Sequence, residues 1–280
     1  MKQIQHLLLC VFCVLTGCQG SDSGQEAVSD RVRAEAHLKA GRYQEAAWAF
    51  FRAEDTVRAE AVLDRLEGIL ESSPVLVEAW VGMGISENYI ATFSDSVRGF
   101  FKVAASDPEG PVEREVAVYR LDRLLGFGMT PMTLMRTLRL PDGRTVKGSL
   151  NYFVVGAKTA DALGLKTVDQ PDGLIFLDAV IGNSDRHVGN WMIDGDTGDV
   201  IAIDHNRTFY HELGWTWWKR VQTVGDPSSI RVIYHRLKTL PETAFKEALD
   251  GWIDPAQYQA FWNARKVMIS YLDGRIEDLK

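Results

Sequence analysis

The sequence predicts an α+β chain on three observations. Residues 30–71 are Ala-rich, with apolar positions at helical spacing. Residues 74–155 read strand, strand, helix, strand, strand, the pattern of a small antiparallel sheet crossed by one helix. From Ala157 onward the text is mostly helical, apart from one polar segment, "IGNSDRHVGNWM", between apolar flanks. The expected division is a leader at 1–17, a tether at 18–29, a helical hairpin appendage at 30–73, a sheet-and-helix domain at 74–155 and a mainly helical domain at 156–280.

The first 18 residues, "MKQIQHLLLCVFCVLTGC", place one Lys before an apolar run and small residues before a Cys, which reads as a signal peptide. The run is too short to span a membrane comfortably. Leu15-Thr16-Gly17-Cys18 resembles the lipobox of bacterial lipoproteins. The resemblance implies cleavage before Cys18, a lipid on its sulfur and a membrane partner through that anchor. Gln19 at the next position points to the periplasmic face of the outer membrane. Cys10, Cys13 and Cys18 are the three cysteines of the chain, so processing leaves no thiol for a disulfide framework or a Cys-ligated zinc. The net charge of -7, with no basic run, argues against a nucleic-acid partner.

"QGSDSGQEAVS" is small and polar, as a tether would be. After it, two or three helices fit before Glu71, and "AGRYQEAAWAFFRA" resembles half of a tetratricopeptide repeat. A lone repeat cannot bury its own apolar face. It is therefore expected to pack on the main domain and to offer a surface for a protein partner. Past Pro74, short β-type runs predict a hairpin over 80–104, joined by "SDS". Gly-Pro then opens a helix with Val116, Val118, Tyr119, Leu121, Leu124 and Leu125 at helical spacing, which Gly126 and Gly128 stop. A second hairpin over 133–155 turns at Pro141-Asp142-Gly143. Leu174, Leu177, Val180 and Ile181 form the apolar face of a helix ending at Gly182-Asn183, which places the polar segment in the loop beyond.

Two strand-like stretches, 191–194 and 199–203, flank "DTG". A hairpin centred on Thr197 pairs Trp191 with Ile203 and, one step further, Asn190 with Asp204. Directly opposed residues lie about 4.5 to 5.5 Å apart, close enough for two oxygen side chains to hold one hard cation. Asp185 sits in the loop at the mouth of this hairpin. One carboxylate to take a hydroxyl proton, with an amide and a second carboxylate to hold Mg²⁺ on phosphates, is the layout that phosphoryl transfer requires.

"DRHVGN" with the downstream "IDHNRTF" is similar to the D-R-H-x-x-N and Asp-Gly-type metal motifs of phosphatidylinositol 3- and 4-kinases, HipA-type kinases and the secretory-pathway kinases related to the Golgi casein kinase. "EREVAVYRLDRLLGFGMTP" resembles a helix of the last group, and the likeness runs over residues 82–209. It implies a bilobal kinase-like fold, ATP with Mg²⁺ or Mn²⁺ as cofactors, and a hydroxyl-bearing acceptor such as a protein, lipid headgroup or sugar. By this resemblance Asp185 is the catalytic-loop Asp, and Arg186 and His187 brace the loop. Asn190 and Asp204 are metal ligands. Lys102 is the phosphate-binding strand lysine, Glu115 is its helix partner, and Glu113 takes that place or adds a metal contact. The chain departs from the pattern in having Gly82 and Gly84 where a full Gly-rich loop is usual, and His205 after the metal Asp. An envelope pseudokinase that binds nucleotide and metal as an interaction module is the alternative, and a third reading makes the N-terminal helices the working surface.

"DGDTGD" lacks the Gly and closing Glu of a calcium loop, and His187, His205 and His211 have no zinc-ligand spacing. Trp215, Trp217 and Trp218 pack under the C-terminal helices or face the acceptor.

The lipobox reading makes one direct prediction. Cys18→Ala abolishes metabolic labelling of the protein by palmitate, and labelling that persists in this variant removes the assignment.

Overall fold

The computed structural model describes residues 23–80, 86–93, 97–104, 110–210 and 221–276. The leader, Cys18, Gly82, Gly84, His211 and the three tryptophans at 215–218 lie outside the described residues. The chain forms two compact units, one of residues 19–112 and 131–155, the other of residues 113–130 and 156–280. Among the described residues, no helix is long and apolar enough to cross a membrane.

The first unit begins with three helices, α1 (Ser23–Lys39), α2 (Tyr43–Arg52) and α3 (Thr56–Ser72). Helix α1 starts inside the segment expected as a tether, and its first buried residue among those described is Ala34. In α2, every residue from Tyr43 to Phe50 is buried. The Asp55 carboxylate caps α3, accepting from the Arg58 amide at 3.3 Å.

Five antiparallel strands follow in the order β1-β2-β3-β5-β4. They are β1 (Val75–Trp80), β2 (Asn88–Phe93), β3 (Arg98–Val103), β4 (Thr133–Arg139) and β5 (Thr145–Tyr152). Both expected hairpins form, β2 with β3 and β4 with β5. The expected start at residue 80 misses β1, a sheet-edge strand whose side chains over 75–78 alternate between half-buried and exposed and so give a weak apolar signal.

One sheet face carries the buried side chains of Phe101, Leu134, Leu150 and Tyr152. Arg136 of the same face donates to the carbonyls of Leu70 and Ser73 at the end of α3. The helices thus cover this face, which is why α2 is buried from Tyr43 to Phe50. Gly148 is needed at its position on β5, since a Cβ there would lie 2.2 Å from the Lys102 carbonyl oxygen.

The second unit opens with α4 (Glu113–Leu125), the helix expected in the sheet domain. Its buried Ala117, Val118, Leu121 and Leu125 instead pack into one core with Leu174 and Leu177, which explains the different boundary. Here α5 (Asp172–Ile181) ends at Gly182 in the left-handed conformation, φ 63°, as the sequence requires. A small sheet runs β6 (Lys158–Thr159), β7 (Trp191–Ile193), β8 (Val200–Ala202). Helices α6 (Arg231–Thr239), α7 (Glu242–Leu249) and α8 (Pro255–Ile276) complete the unit.

The register of the β7–β8 hairpin differs by one from the expected pairing. Trp191 pairs with Ala202, and the Ile203 amide donates to the Asn190 carbonyl at 3.1 Å, so Asn190 faces Ile203 and not Asp204. The turn decides this. The Asp194 side chain accepts from the Asp196 amide at 2.8 Å, and Gly198, φ 77°, closes the loop so that Asp194 pairs with Asp199. A one-residue slip turns every side chain to the other face. Asp204 then leaves the ladder in the left-handed conformation, φ 59°, which Asp tolerates better than most residues.

Hairpin placement also depends on Asp122 of α4. Its buried carboxyl accepts from the amides of Gly128, Met129 and Thr130 at 2.9, 3.0 and 2.8 Å. The clamped Met129 in turn accepts from the Ala202 amide of β8 at 2.8 Å. Burial pushes the Asp122 carboxyl up to about 6, the three N–H donors offsetting part of that effect. Since this folded value lies above the ~3.9 of an unfolded Asp, the group's stabilisation is complete below about pH 4 and is lost as pH rises through about 6. The stability margin of wild type over Asp122→Asn therefore shrinks by up to about 3 kcal/mol from pH 4 to pH 7. Denaturant melts at both pH values check this, and a margin that widens with pH contradicts it.

Candidate active site

The polar segment folds around a buried ion pair that motif reading did not single out. Asp178 lies in the last turn of α5 with no exposed surface. Arg186 Nε donates to both of its carboxylate oxygens, at 3.1 and 3.2 Å. A buried carboxylate is tolerated only with such partners. Asn183 Nδ2 adds a third hydrogen bond to Asp178 at 3.0 Å, and Asn183 Oδ1 accepts from the Asp185 amide at 2.8 Å.

The rest of the Arg186 guanidinium spends its donors on the two strands of the hairpin. Nη1 donates to the carbonyls of Asn190 and Ile203, the latter at 2.6 Å. Nη2 lies 3.1 Å from His205 Nδ1. Arginine has donors only, so Nδ1 accepts and the proton of neutral His205 sits on Nε2, which donates to the Ala202 carbonyl at 3.2 Å. One side chain thus ties α5, the loop and the residues on either side of Asp204 into one rigid piece.

This frame fixes what the loop presents. Asn190 Nδ2 donates to the Asp185 carbonyl at 3.0 Å, which fixes the orientation of its side-chain amide. The Asp185 carboxylate, by contrast, is 30% exposed. Its contact with Arg207, itself 34% exposed, is 3.4 Å long, a solvent-screened pair of little strength. His187 is exposed, and its Nδ1 accepts from the Gly189 amide at 3.0 Å, so it braces only its own turn. Downstream, Arg114 of α4 donates to the Asn206 carbonyl at 3.1 Å and stacks over Tyr210.

Asp185, Arg186, His187, Asn190 and Asp204 are therefore gathered in the second unit, around one loop and one hairpin end. Glu113 and Glu115 lie in the first turn of α4 in the same unit, Glu115 buried and Glu113 partly exposed. Lys102 lies in the first unit, on β3, and is only 6% exposed. It stands directly between Asn88 of β2 and Ser149 of β5 in the ladder, both buried, so a polar row crosses the sheet face opposite the helices. Among the described residues, the Ser149 hydroxyl has no hydrogen-bond partner.

Among the described residues, no cluster of three or more His, Cys, Asp or Glu side chains is arranged to hold a metal. The donor set is one amide oxygen and one carboxylate. That set fits a hard cation such as Mg²⁺, which takes its remaining ligands from phosphates and water.

Asp178 and Asn183 are the functional residues that motif reading passed over. The signal was present in "LIFLDAVIGN", where a lone Asp stands in an otherwise apolar helix and demands a buried partner. Breaking the pair is expected to be costly. Arg186→Met leaves Asp178 buried and uncompensated and lowers stability by about 3 to 5 kcal/mol. Arg186→Lys recovers only part of that loss, because an ammonium cannot reach carboxylate, carbonyls and imidazole together. Equilibrium denaturation of both variants checks the order.

Part of the sequence and the fold are similar to those of known proteins. Residues 120–218 match the family described as phosphatidylinositol 3- and 4-kinase. Phosphatidylinositol 4-kinase gamma 4 of Oryza sativa subsp. japonica is 28% identical over 140 residues, which is 43% of this chain and 25% of that protein. The chain thus spans a quarter of the length of this relative. Among solved structures, the Golgi casein kinase superposes with a TM-score of 0.54 at 16% identity, over 78% of either chain. The same kinase with Mn/ADP bound gives 0.50 at 16% identity, over 76% of either chain. The chain carries a protein-kinase-like fold, similar to that of the Golgi casein kinase, and part of its second unit is similar in sequence to the phosphatidylinositol 3- and 4-kinases.

Proposed function

We propose that this protein is a phosphotransferase that moves the terminal phosphoryl group of ATP to a hydroxyl acceptor, and that it works in the cell envelope, anchored through Cys18. The observation that carries the reading is the contrast between two aspartates seven residues apart. Asp178 is buried and consumed by Arg186, whereas Asp185 is held by its backbone with its carboxylate left open. Asp185 takes or orients the proton of the acceptor hydroxyl, the role that its partial exposure and fixed backbone allow. Asn190 and Asp204 would hold Mg²⁺ or Mn²⁺, which when bound neutralises charge on the transferring phosphates. Lys102, a buried cation in a polar row, is suited to the nucleotide phosphates. The protein, lipid headgroup and sugar classes of acceptor all supply the hydroxyl that this chemistry needs. Outer-membrane placement rests on the leader and on Gln19.

Asp185→Asn keeps the shape and removes the charge. Phosphate transfer from labelled ATP therefore falls by about 10² to 10⁴ in kcat, with nucleotide KM little changed. Asp204→Ala instead loses the metal-dependent thermal shift given by ATP, while melting of the nucleotide-free protein changes little. Equal transfer by wild type and Asp185→Asn overturns the assignment of the base. Nucleotide binding with no transfer by wild type under Mg²⁺ or Mn²⁺ makes the protein a pseudokinase.

A further inference from the structure

The N-terminal helices are the one sequence feature that the phosphotransfer reading leaves without a role. Helix α2 meets the sheet at a particular place. The chain passes from one compact unit to the other after Thr130 and returns after Val155. The nearest paired residues of the first unit are Met132 and Tyr152, where the Tyr152 amide donates to the Met132 carbonyl at 2.8 Å. Two consecutive residues of α2 hold this pair. Gln44 Oε1 accepts from the Met132 amide at 2.9 Å, and Glu45 Oε2 accepts from the Tyr152 hydroxyl at 2.9 Å.

Neither residue belongs in a helix core on grounds of packing. Gln44 is 2% exposed and the Glu45 side chain is wholly buried, with Arg42 at 3.0 Å as its counter-ion. Burial pushes the Glu45 carboxyl up from its ordinary value, against the hydrogen bonds from Arg42 and Tyr152. An apolar pair would cover the sheet with less desolvation cost. What Gln and Glu add is direction: one fixes a backbone amide and the other a side chain, at the two strand ends beside the crossings.

We infer that α2 is a clamp on two of the three points where the described chain crosses between its units, those after Thr130 and Val155, with Gln44 and Glu45 as the residues that position Met132 and Tyr152. The helices α1–α3 are then a working part of the catalytic chain, and their buried polar pair serves the crossings. Only the activity readout of this inference rests on the phosphotransfer reading; its geometry does not.

The test is amide hydrogen exchange on the full chain, with ATP transfer measured beside it. Glu45→Leu and Gln44→Leu remove one grip each, whereas Glu45→Gln keeps an acceptor oxygen for the Tyr152 hydroxyl. In both Leu variants exchange at Met132 and Tyr152 speeds up by about tenfold or more while Phe101 and Lys102 of β3 stay as in wild type, because the opening is local. Transfer falls in step, and Glu45→Gln restores both. Exchange that is unchanged at Met132 and Tyr152, or that speeds up equally across the sheet as plain loss of stability would make it, overturns the clamp. Faster local exchange with full transfer activity overturns the positioning role. If exchange behaves as expected and wild type transfers no phosphate, the clamp stands and the proposed function falls.

Discussion

The Arg186–Asp178 pair is the contact on which the site depends. An arginine buried this deeply must satisfy all of its N–H groups, and it can do so only where carboxylate, carbonyls and imidazole converge. It therefore dictates the positions of α5, the loop after it and the ends of β7 and β8 at once. Asn183, Asn190 and His205 are oriented as a consequence. Their remaining donors and acceptors are defined by what Arg186 and its partners have already used. Electrostatics inside the cage is strong because water is excluded, which makes the arrangement rigid and costly to alter.

The same physics separates the aspartates by environment. Asp178 sits inside and is neutralised by a guanidinium, so it has structural work only. Asp122 sits inside, held by backbone amides, and burial raises its proton affinity. Asp185 is kept at the surface of the cage, where its carboxylate is partly open to solvent. Asp204 is lifted out of the ladder by a left-handed backbone. Four carboxylates of one chemistry thus acquire different roles from burial and partners alone.

In the first unit the sheet is two-faced. One face is apolar and lies under α2 and α3, tied down by Arg136, Gln44 and Glu45. The other bears Asn88, Lys102 and Ser149 in one row. Covering the first face with helices is what allows strands in the middle of the sheet to carry polar side chains on the second without losing their core.

Much of this was legible in the sequence, because it depends on local chemistry. Helical spacing in 113–125, the Pro-Asp-Gly tip at 141–143 and the glycine stop at Gly182 all follow from residue types and short-range turn rules. The tertiary structure decided what depends on distant partners. Strand β1 is stabilised by pairing with β2 more than by its own pattern. The hairpin register turned on whether Asp194 would cap its own loop, a choice between two turns that differ by one residue. Asp178 waited for a buried arginine eight residues on in sequence, and Glu45 for a tyrosine more than a hundred residues away. Periodicity carries no information about such pairs, since buried polar groups are placed by the partners that satisfy them and those partners meet only in the folded chain.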